Sequence, residues 1–404
     1  MKTVRTLSMT LLASLTLCAQ ADVITDWNVR TDALITEARI GTPPAIRLTA
    51  IVQTAAYDAV NAITQRDPAA VLPGRAPKGA SIEAAVAAAH RTALLKFLPA
   101  QQAAIDAAYQ AALAPIADAA AKAAGIAIGE KAAADVLARR ADDGATSPEA
   151  YRPHTSAGAY VPTAAAAVPQ WPQRKPWLMS SAAQFRPGPP PTLTSEAWAR
   201  DYNEVKSLGG KAATRRSAEQ TDIARFWGYS LPAIYHGVVR SVAQQPGREV
   251  TRNARLLALV AQAMDDAMIS VFDAKYHHNF WRPVSAIRNG DIDGHDATQR
   301  EASWTSLIES PMHPEYPSGH SILASTVAAV WKADVGAGPM PVLATTSPTA
   351  KGAERRWSNL DDFVQEVSDA RIYAGIHYRT ATDAGAAMGR RIGELAARHL
   401  QLPH

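Results

Sequence analysis

Lys275 stands seven residues before Arg282, Ser318 two before His320, and Arg371 six before His377, and these three short segments hold side chains suited to binding one tetrahedral oxyanion. Two guanidinium forks and an ammonium supply charge-assisted donors. The Ser318 hydroxyl and the Gly319 amide supply neutral donors, and two imidazoles remain to bond or to move a proton. Each segment alone has an ordinary explanation. Basic residues before Arg282-Pro283 could face the carbonyls of a helix end. Pro317-Ser318-Gly319-His320 could be a turn with a serine cap, and Arg371 to His377 one amphipathic helix. Their joint occurrence is what points to a pocket.

Elements must bring these residues together. Lys275 and Arg282, two helical turns apart, share a face if their helix runs through to Trp281, with Pro283 ending or kinking it. Ser318 and Gly319 precede the helix that carries His320, where free amides and the helix dipole favour an anion. From Arg371 to His377 a helix advances about 600°, or 240° net, so it is expected to end near His377 and let that ring turn toward the anion.

Alanine and leucine dominate, β-branched runs are sparse and apolar residues recur at helical spacing, which reads as an all-α protein. Helices are expected over roughly 43–63, 81–97, 100–113, 117–140, 195–207, 217–227, 231–244, 250–277, 319–334, 358–377 and 382–400. Pro43 and Pro44 suit a first turn, and Ser358 before Asp361 and Asp362 reads as an N-cap.

Between Ala145 and Pro191 the helical pattern gives way to Pro, Ser, Thr and Ala with isolated aromatics, among them Trp171, Trp177 and Phe185. So long a stretch is either disordered or functional, and its aromatic content favours a strap wrapped over the helical body. Two roles stay open for it, shaping the pocket mouth and covering packed helices. His277 and His278 are adjacent, so a helix turns them about 100° apart. They are read as surface and packing residues, not as a metal pair.

The N-terminus has Lys2 and Arg5, an apolar run to Cys18 and Ala19-Gln20-Ala21 before Asp22. This is the pattern of a secretory signal peptide over residues 1–21, too short to span a bilayer, so export to the periplasm or beyond is expected. Leu17 argues against lipidation at Cys18, the only cysteine, and a mature chain without it has no disulfide. Without Lys2 and Arg5, 39 basic residues face 37 acidic ones, a formal charge of +2 that is not a nucleic-acid-binding balance. No later run has the length and apolarity of a transmembrane helix, so an integral membrane protein is not expected.

The order and wording of the three segments resemble the superfamily that unites type 2 phosphatidic acid phosphatases, bacterial acid phosphatases and vanadium-dependent haloperoxidases. Its signature runs K-x6-R-P, P-S-G-H and S-R-x5-H-x3-D. Here the first is Lys275 to Pro283, the second is intact at Pro317 to His320, and the third reads Ala370-Arg371 through His377. Ala370 replaces the serine. Ala381 stands where the aspartate that helps orient the histidine is expected, and the nearest carboxylate is Asp383; a backbone carbonyl or water could serve instead. The Trp27 segment, the run from Pro43-Pro44, the stretch with Tyr57, Asp58 and Asn61, and the proline-rich middle are similar to bacterial vanadium haloperoxidase-type proteins. The resemblance implies stacked helical bundles, with an N-terminal helical region over 22–190 that includes the proline-rich segment and a catalytic bundle over 191–404.

It also implies roles. His377 bonds the central atom through a ring nitrogen; Lys275, Arg282, Arg371, Ser318 and the Gly319 amide hold the oxygens; His320 is the acid-base group. With vanadate as cofactor, the implied activity is a haloperoxidase that uses hydrogen peroxide to oxidise a halide to hypohalous acid, which meets a small organic acceptor. His313, the first residue of His313-Pro-Glu-Tyr-Pro-Ser-Gly-His, resembles bromoperoxidases more than chloroperoxidases, which tend to have phenylalanine there. Bromide is therefore expected over chloride, a loop histidine without a role being the ordinary alternative. With phosphorus at the centre the same residues imply an exported acid phosphatase working through a phosphohistidine at His377. A non-catalytic oxyanion-binding helical protein would need the cations but not both histidines.

Overall fold

The computed structural model describes residues 22–67 and 77–400, so the signal-peptide expectation for residues 1–21, Cys18 included, lies outside the described residues. The first half holds α1 (Val23–Ala38), α2 (Thr42–Thr64), α3 (Ile82–Phe97), α4 (Gln102–Leu113) and α5 (Ala119–Arg139). After a long irregular stretch come α6 (Glu196–Gly209), α7 (Ala218–Phe226), α8 (Ala233–Ala243), α9 (Val250–His278), α10 (Pro283–Arg288) and α11 (Gly319–Val335). A hairpin of β1 (Leu343–Ser347) and β2 (Ala353–Trp357) then leads to α12 (Leu360–Tyr373) and α13 (Arg379–Leu400). Among the described residues no helix is long and apolar enough to cross a membrane.

Every expected helix is present, most with ends shifted by a few residues. Pro43 and Pro44 sit in the first turn of α2, where a missing N–H costs nothing. The N-cap of α12 is Asn359 rather than Ser358; its side chain accepts from the Asp362 amide at 2.8 Å. Two helices were not expected. α1 starts at an Asp22 cap and buries Ile24, Trp27, Leu34 and Ile35, while α10 is a short helix opened by Pro283. The hairpin is the one departure from an all-α reading among the described residues. Its strands are only five residues each, and they hold together by packing Leu343 and Thr345 inward, Thr345 against Gly237 of α8.

α9 is the central element, buried on most of its surface and packed against α2 on one side and α11 and α13 on the other. Two small-residue seams set the helix spacing. On α13, Gly385, Gly389 and Gly393 recur every fourth residue, and a Cβ at any of them would run into the Ser318, Ile322 or Thr326 carbonyl of α11 or its cap. That contact fixes the start of α11 against the chain segment that carries His377. On α5, Gly125 and Gly129 do the same against the start of α3.

The proline-rich stretch is a strap bound into the body. Arg174 is fully buried and forks onto Asp265 of α9 at 2.5 and 2.8 Å, with Asp143 accepting from the same guanidinium at 2.8 Å. Beside it, the Asp266 carboxylate accepts from the backbone amides of Trp177, Leu178 and Met179 at 2.6–2.9 Å. Trp171, Met179 and Phe185 join the core. Of the two roles left open for this segment, covering packed helices is the one these contacts show, and Ala167 also borders the pocket described next.

Candidate active site

α9 ends at His278 because Asn279 takes a left-handed conformation, φ 48°, and returns its amide to the Lys275 carbonyl at 2.8 Å. Lys275 thus belongs to the last turn of α9, whereas Arg282 lies past the break as the N-cap of α10. The expectation of one helix running through Trp281 is corrected: the pair do not share a helical face. They still converge, because the chain between them is pinned by Trp281 N–H to Gly158 and by Glu315 N–H to Phe280, both at 2.8–2.9 Å.

The second segment enters as a loop. The Lys275 ammonium donates to the carbonyls of Pro314, Glu315 and Pro317 at 2.5–3.1 Å. Ser318 then caps α11, accepting from the Ser321 amide and hydroxyl, while its own amide donates to the Ala381 carbonyl at 2.9 Å. Gly319 follows in the first turn, and a Cβ built there would meet nothing within 4 Å, so the helix start is open on that side.

The third segment breaks earlier than expected. α12 stops at Tyr373, four residues before His377, and Gly375 turns the chain at φ 76°. Glycine is required there because its Cα lies against Gly209 of α6. Arg371 therefore points from the end of α12, while His377 sits in the linker before α13. The linker, rather than a helix end at the residue itself, resolves the angular mismatch between the two.

Lys275, Arg282, Arg371, Glu315 and Ser318 are at most 1 % exposed and His377 is 2 % exposed. Burial lowers the pKa of all three cations, Arg282 and Arg371 to about 10 in each case; the Arg282 charge adds to the effect at Lys275 and Arg371, while Glu315 opposes it at Arg282. Lys275 is nonetheless an ammonium, because three carbonyl acceptors need three N–H bonds. Burial pushes the Glu315 carboxyl up to about 8, with Arg282 and Lys275 pulling the other way. The three histidines are all held well below the usual imidazole range, by burial first and then by the cations.

The hydrogen bonds assign the imidazole protons. Arg282 approaches His377 Nε2 at 3.3 Å and can only donate, so Nε2 carries a lone pair and Nδ1 carries the proton. Nδ1 lies 2.7 Å from Glu315 Oε1, which also accepts the Tyr378 amide at 3.0 Å. Arg282 likewise donates to His313 Nδ1 at 2.9 Å, and the Pro314 carbonyl lies 3.1 Å from the same nitrogen. His320 Nε2 is buried and has no partner, as are Arg371 Nε and Glu315 Oε2.

His313, Gly319, His320, Lys275 and His377 border one cavity of about 300 Å³. Its other walls include Met268, Val271, Phe272, Leu323 and Ile376, together with Thr42, Ser230 and Ala167. Arg282 and Arg371 stand behind this lining and reach the site through His377, His313 and the backbone of Ile376 and Trp227. Sequence reasoning missed Glu315, although it lay inside the run from His313 to His320; a carboxylate between Pro314 and Pro317, three residues before Ser318, was the signal. It also missed Thr42 and Ser230, hydrogen-bonded at 2.6 Å, which no motif marks. His277 is exposed and His278 packs edge-on to Tyr316, so neither joins the site.

A helical body with a buried cationic pocket and neutral imidazoles defines a class of oxyanion-binding site, and comparison narrows it. The family model described as the VCPO second helical-bundle domain matches residues 255–403. A vanadium chloroperoxidase of Curvularia inaequalis is 31% identical over 168 residues, 34% of this chain and 28% of that relative, so the match spans less than a third of the relative's length. The first bacterial vanadium-dependent iodoperoxidase of known structure superposes with a TM-score of 0.79 at 25% identity, covering 94% of this chain and 96% of that one. A holo-type bacterial vanadium-dependent chloroperoxidase agrees in fold, with a TM-score of 0.70 at 18% identity over 90% and 93% of the two chains. Residues 255–403 thus match the second helical bundle of that family, and the chain as a whole has the fold of the vanadium haloperoxidases.

Proposed function

We propose that this chain binds vanadate and uses hydrogen peroxide to oxidise halide to hypohalous acid, with bromide taken in preference to chloride. The observation that carries the reading is charge imbalance: three buried cations stand in or behind the cavity wall, and the buried carboxylate near them, Glu315, is held against His377. A buried positive excess of this kind is relieved by an anion. Vanadate suits the donor set, which offers the His377 Nε2 lone pair, the unpartnered Arg371 Nε, the Ser318 hydroxyl and the open Gly319 amide.

Bound vanadate supplies a Lewis acid that activates peroxide toward halide without changing its own oxidation state. The chain does the rest. His377 offers Nε2 to the central atom, and Arg371 and the start of α11 hold oxygens. Lys275, its three N–H bonds already held by carbonyls, acts as a fixed charge. His320, kept neutral by burial, accepts a proton from the incoming peroxide at Nε2 and returns it to a departing oxygen. The apolar walls admit a small organic acceptor. Export remains part of the proposal and rests on the pattern of residues 1–21.

The test is direct. Vanadate-loaded protein with peroxide and bromide should brominate a phenolic dye, and orthophosphate should inhibit loading by competing for the same pocket. Efficient phosphate-ester turnover with no vanadate-dependent bromination, over a range of pH and peroxide concentration, would move the assignment to the acid phosphatase.

A further inference from the structure

We propose that Glu315 is the positioning residue for His377: its carboxylate holds the imidazole in the Nδ1–H tautomer and so keeps the Nε2 lone pair turned to the anion site. The inference rests on the reading of His377 as the histidine that bonds the anion. The site's sequence segments leave that histidine without an orienting acid, since Ala381 has no polar side chain and Asp383 is exposed. Asp383 is influenced by Arg379, Glu204 and Asp369 on the outer surface, not by the pocket.

Three observations carry the assignment. The 2.7 Å contact from Nδ1 to Oε1 is short, and the Tyr378 amide donates to the same oxygen, so the carboxylate grips both the ring and the backbone next to it. The opposite ring nitrogen faces a guanidinium that can only donate, which independently demands the same tautomer. Finally, Glu315 is anchored through its own main chain. Its N–H donates to Phe280 at 2.8 Å and its carbonyl accepts from Lys275 at 2.8 Å. One residue therefore ties together the end of α9, the loop before α11 and the linker that carries His377. A ring fixed from behind in this way has little orientational freedom left to lose when its other nitrogen bonds an anion.

A role as a mere buried counter-charge predicts something different, because a counter-charge need not fix a tautomer. The experiment uses the full chain with Glu315→Gln, Glu315→Asp and Glu315→Ala, with folding checked by near-ultraviolet circular dichroism. Two quantities are read: the ring-nitrogen NMR shifts of His377 without any anion, and the affinities of orthovanadate and inorganic phosphate by calorimetry. Wild type should show Nδ1 protonated and Nε2 unprotonated. Glu315→Ala should lose that preference and weaken orthovanadate about 10- to 100-fold, the usual effect of removing such a partner, with Glu315→Asp recovering part of both. Ala381→Asp added to Glu315→Ala offers a carboxylate one helical turn after His377, and a rescued tautomer would further support positioning.

An Nε2–H tautomer in the wild type overturns the proposal even if every variant misfolds. So does an unchanged tautomer with unchanged orthovanadate affinity in a folded Glu315→Ala protein. Should the wild type bind neither orthovanadate nor phosphate, the anion-pocket reading fails, while the tautomer measurement still decides the role of Glu315.

Discussion

Two buried charge clusters lie about ten residues apart on α9, and they are built in opposite ways. Where the strap meets α9, Arg174 is fully buried between Asp265 and Asp143, and its pKa is raised because the two carboxylates outweigh the loss of solvent. Around Lys275, in the last turn of the same helix, Arg282 and Arg371 are equally buried, yet their pKa values fall to about 10 because burial outweighs what Glu315 returns to Arg282 and Tyr235 to Arg371. The same side chain in the same degree of burial shifts in opposite directions. A balanced cluster is complete and holds the fold together; an unbalanced one stores unfavourable charge that a ligand can relieve.

The largest effect should come from the unbalanced side. His377→Ala removes the imidazole that faces the anion, so stable vanadate binding should be lost, whereas His320→Ala should bind vanadate while turnover drops about 10²- to 10⁴-fold, as for loss of an acid-base group. Calorimetry and single-turnover assays separate the two outcomes. Wild-type vanadate affinity in the His377→Ala protein would remove that residue from the site, and undiminished turnover in His320→Ala would place proton transfer elsewhere.

The comparison itself is tested by a matched pair of substitutions. Arg174→Met leaves Asp265 buried without its cation, while Asp143 keeps Arg47 and Arg140, and should cost about 3–5 kcal/mol of stability. Arg371→Met removes one of several like charges and one bond to the Trp227 carbonyl, so without any anion its stability should stay within about 1 kcal/mol of wild type. Its affinity for phosphate or vanadate should instead fall at least about tenfold, the loss of one charge-assisted contact. Urea unfolding and calorimetry read both. Equal destabilisation by the two changes would abolish the distinction drawn between the clusters.

A smaller effect probes the balanced cluster by pH. Asp266 meets three backbone amides but is raised to about 6, chiefly by burial, since the cation beside it is taken by Asp265. A raised carboxyl binds a proton in the folded state at a pH where the unfolded chain has already lost it. The resulting stability is fully present below about pH 3.8 and is lost as pH rises to about 6, on the order of 3 kcal/mol in total. Unfolding midpoints from pH 4 to 7 should show this slope in wild type, and Asp266→Ala should flatten it. Parallel slopes in the two proteins would show that Asp266 keeps an ordinary carboxyl.

Much of this was legible in the sequence, and the failures share a cause. Helix periodicity located the bundle, and the motif order brought Lys275, Ser318, His320, Arg371 and His377 to one place. What spacing could not reveal is where helices stop. Asn279 and Gly375 end α9 and α12 through left-handed turns, so Arg282 and His377 lie in connecting chain and not on the faces that helical arithmetic assigned. Glu315 escaped for a related reason: its partner is 62 residues away, and only the packing of α13 on α11 brings the two together. The hairpin was missed because five-residue strands leave too little pattern to outweigh the surrounding helical composition.

The smallest effect should appear at His313, where the charge imbalance meets the halide. Its ring accepts from Arg282 at 2.9 Å, packs edge-on against Phe272 at 5.2 Å and borders the cavity without being placed to hold the anion. His313→Phe would preserve an aromatic wall but withdraw the acceptor, leaving one guanidinium N–H free to face the cavity. A stronger field there should favour the smaller, harder chloride relative to bromide, so the ratio of chloride to bromide kcat/KM should rise by roughly fivefold, about 1 kcal/mol of differential barrier. Because Arg282 still donates to the His313 backbone carbonyl at 3.0 Å and to Ile376 at 2.7 Å, the guanidinium should stay in place and vanadate affinity should change little. Unchanged halide ratios would leave His313 as no more than an acceptor that helps hold Arg282. A collapse of vanadate binding would instead show that the acceptor is needed to keep that arginine in the site, and would move His313 from tuning to support.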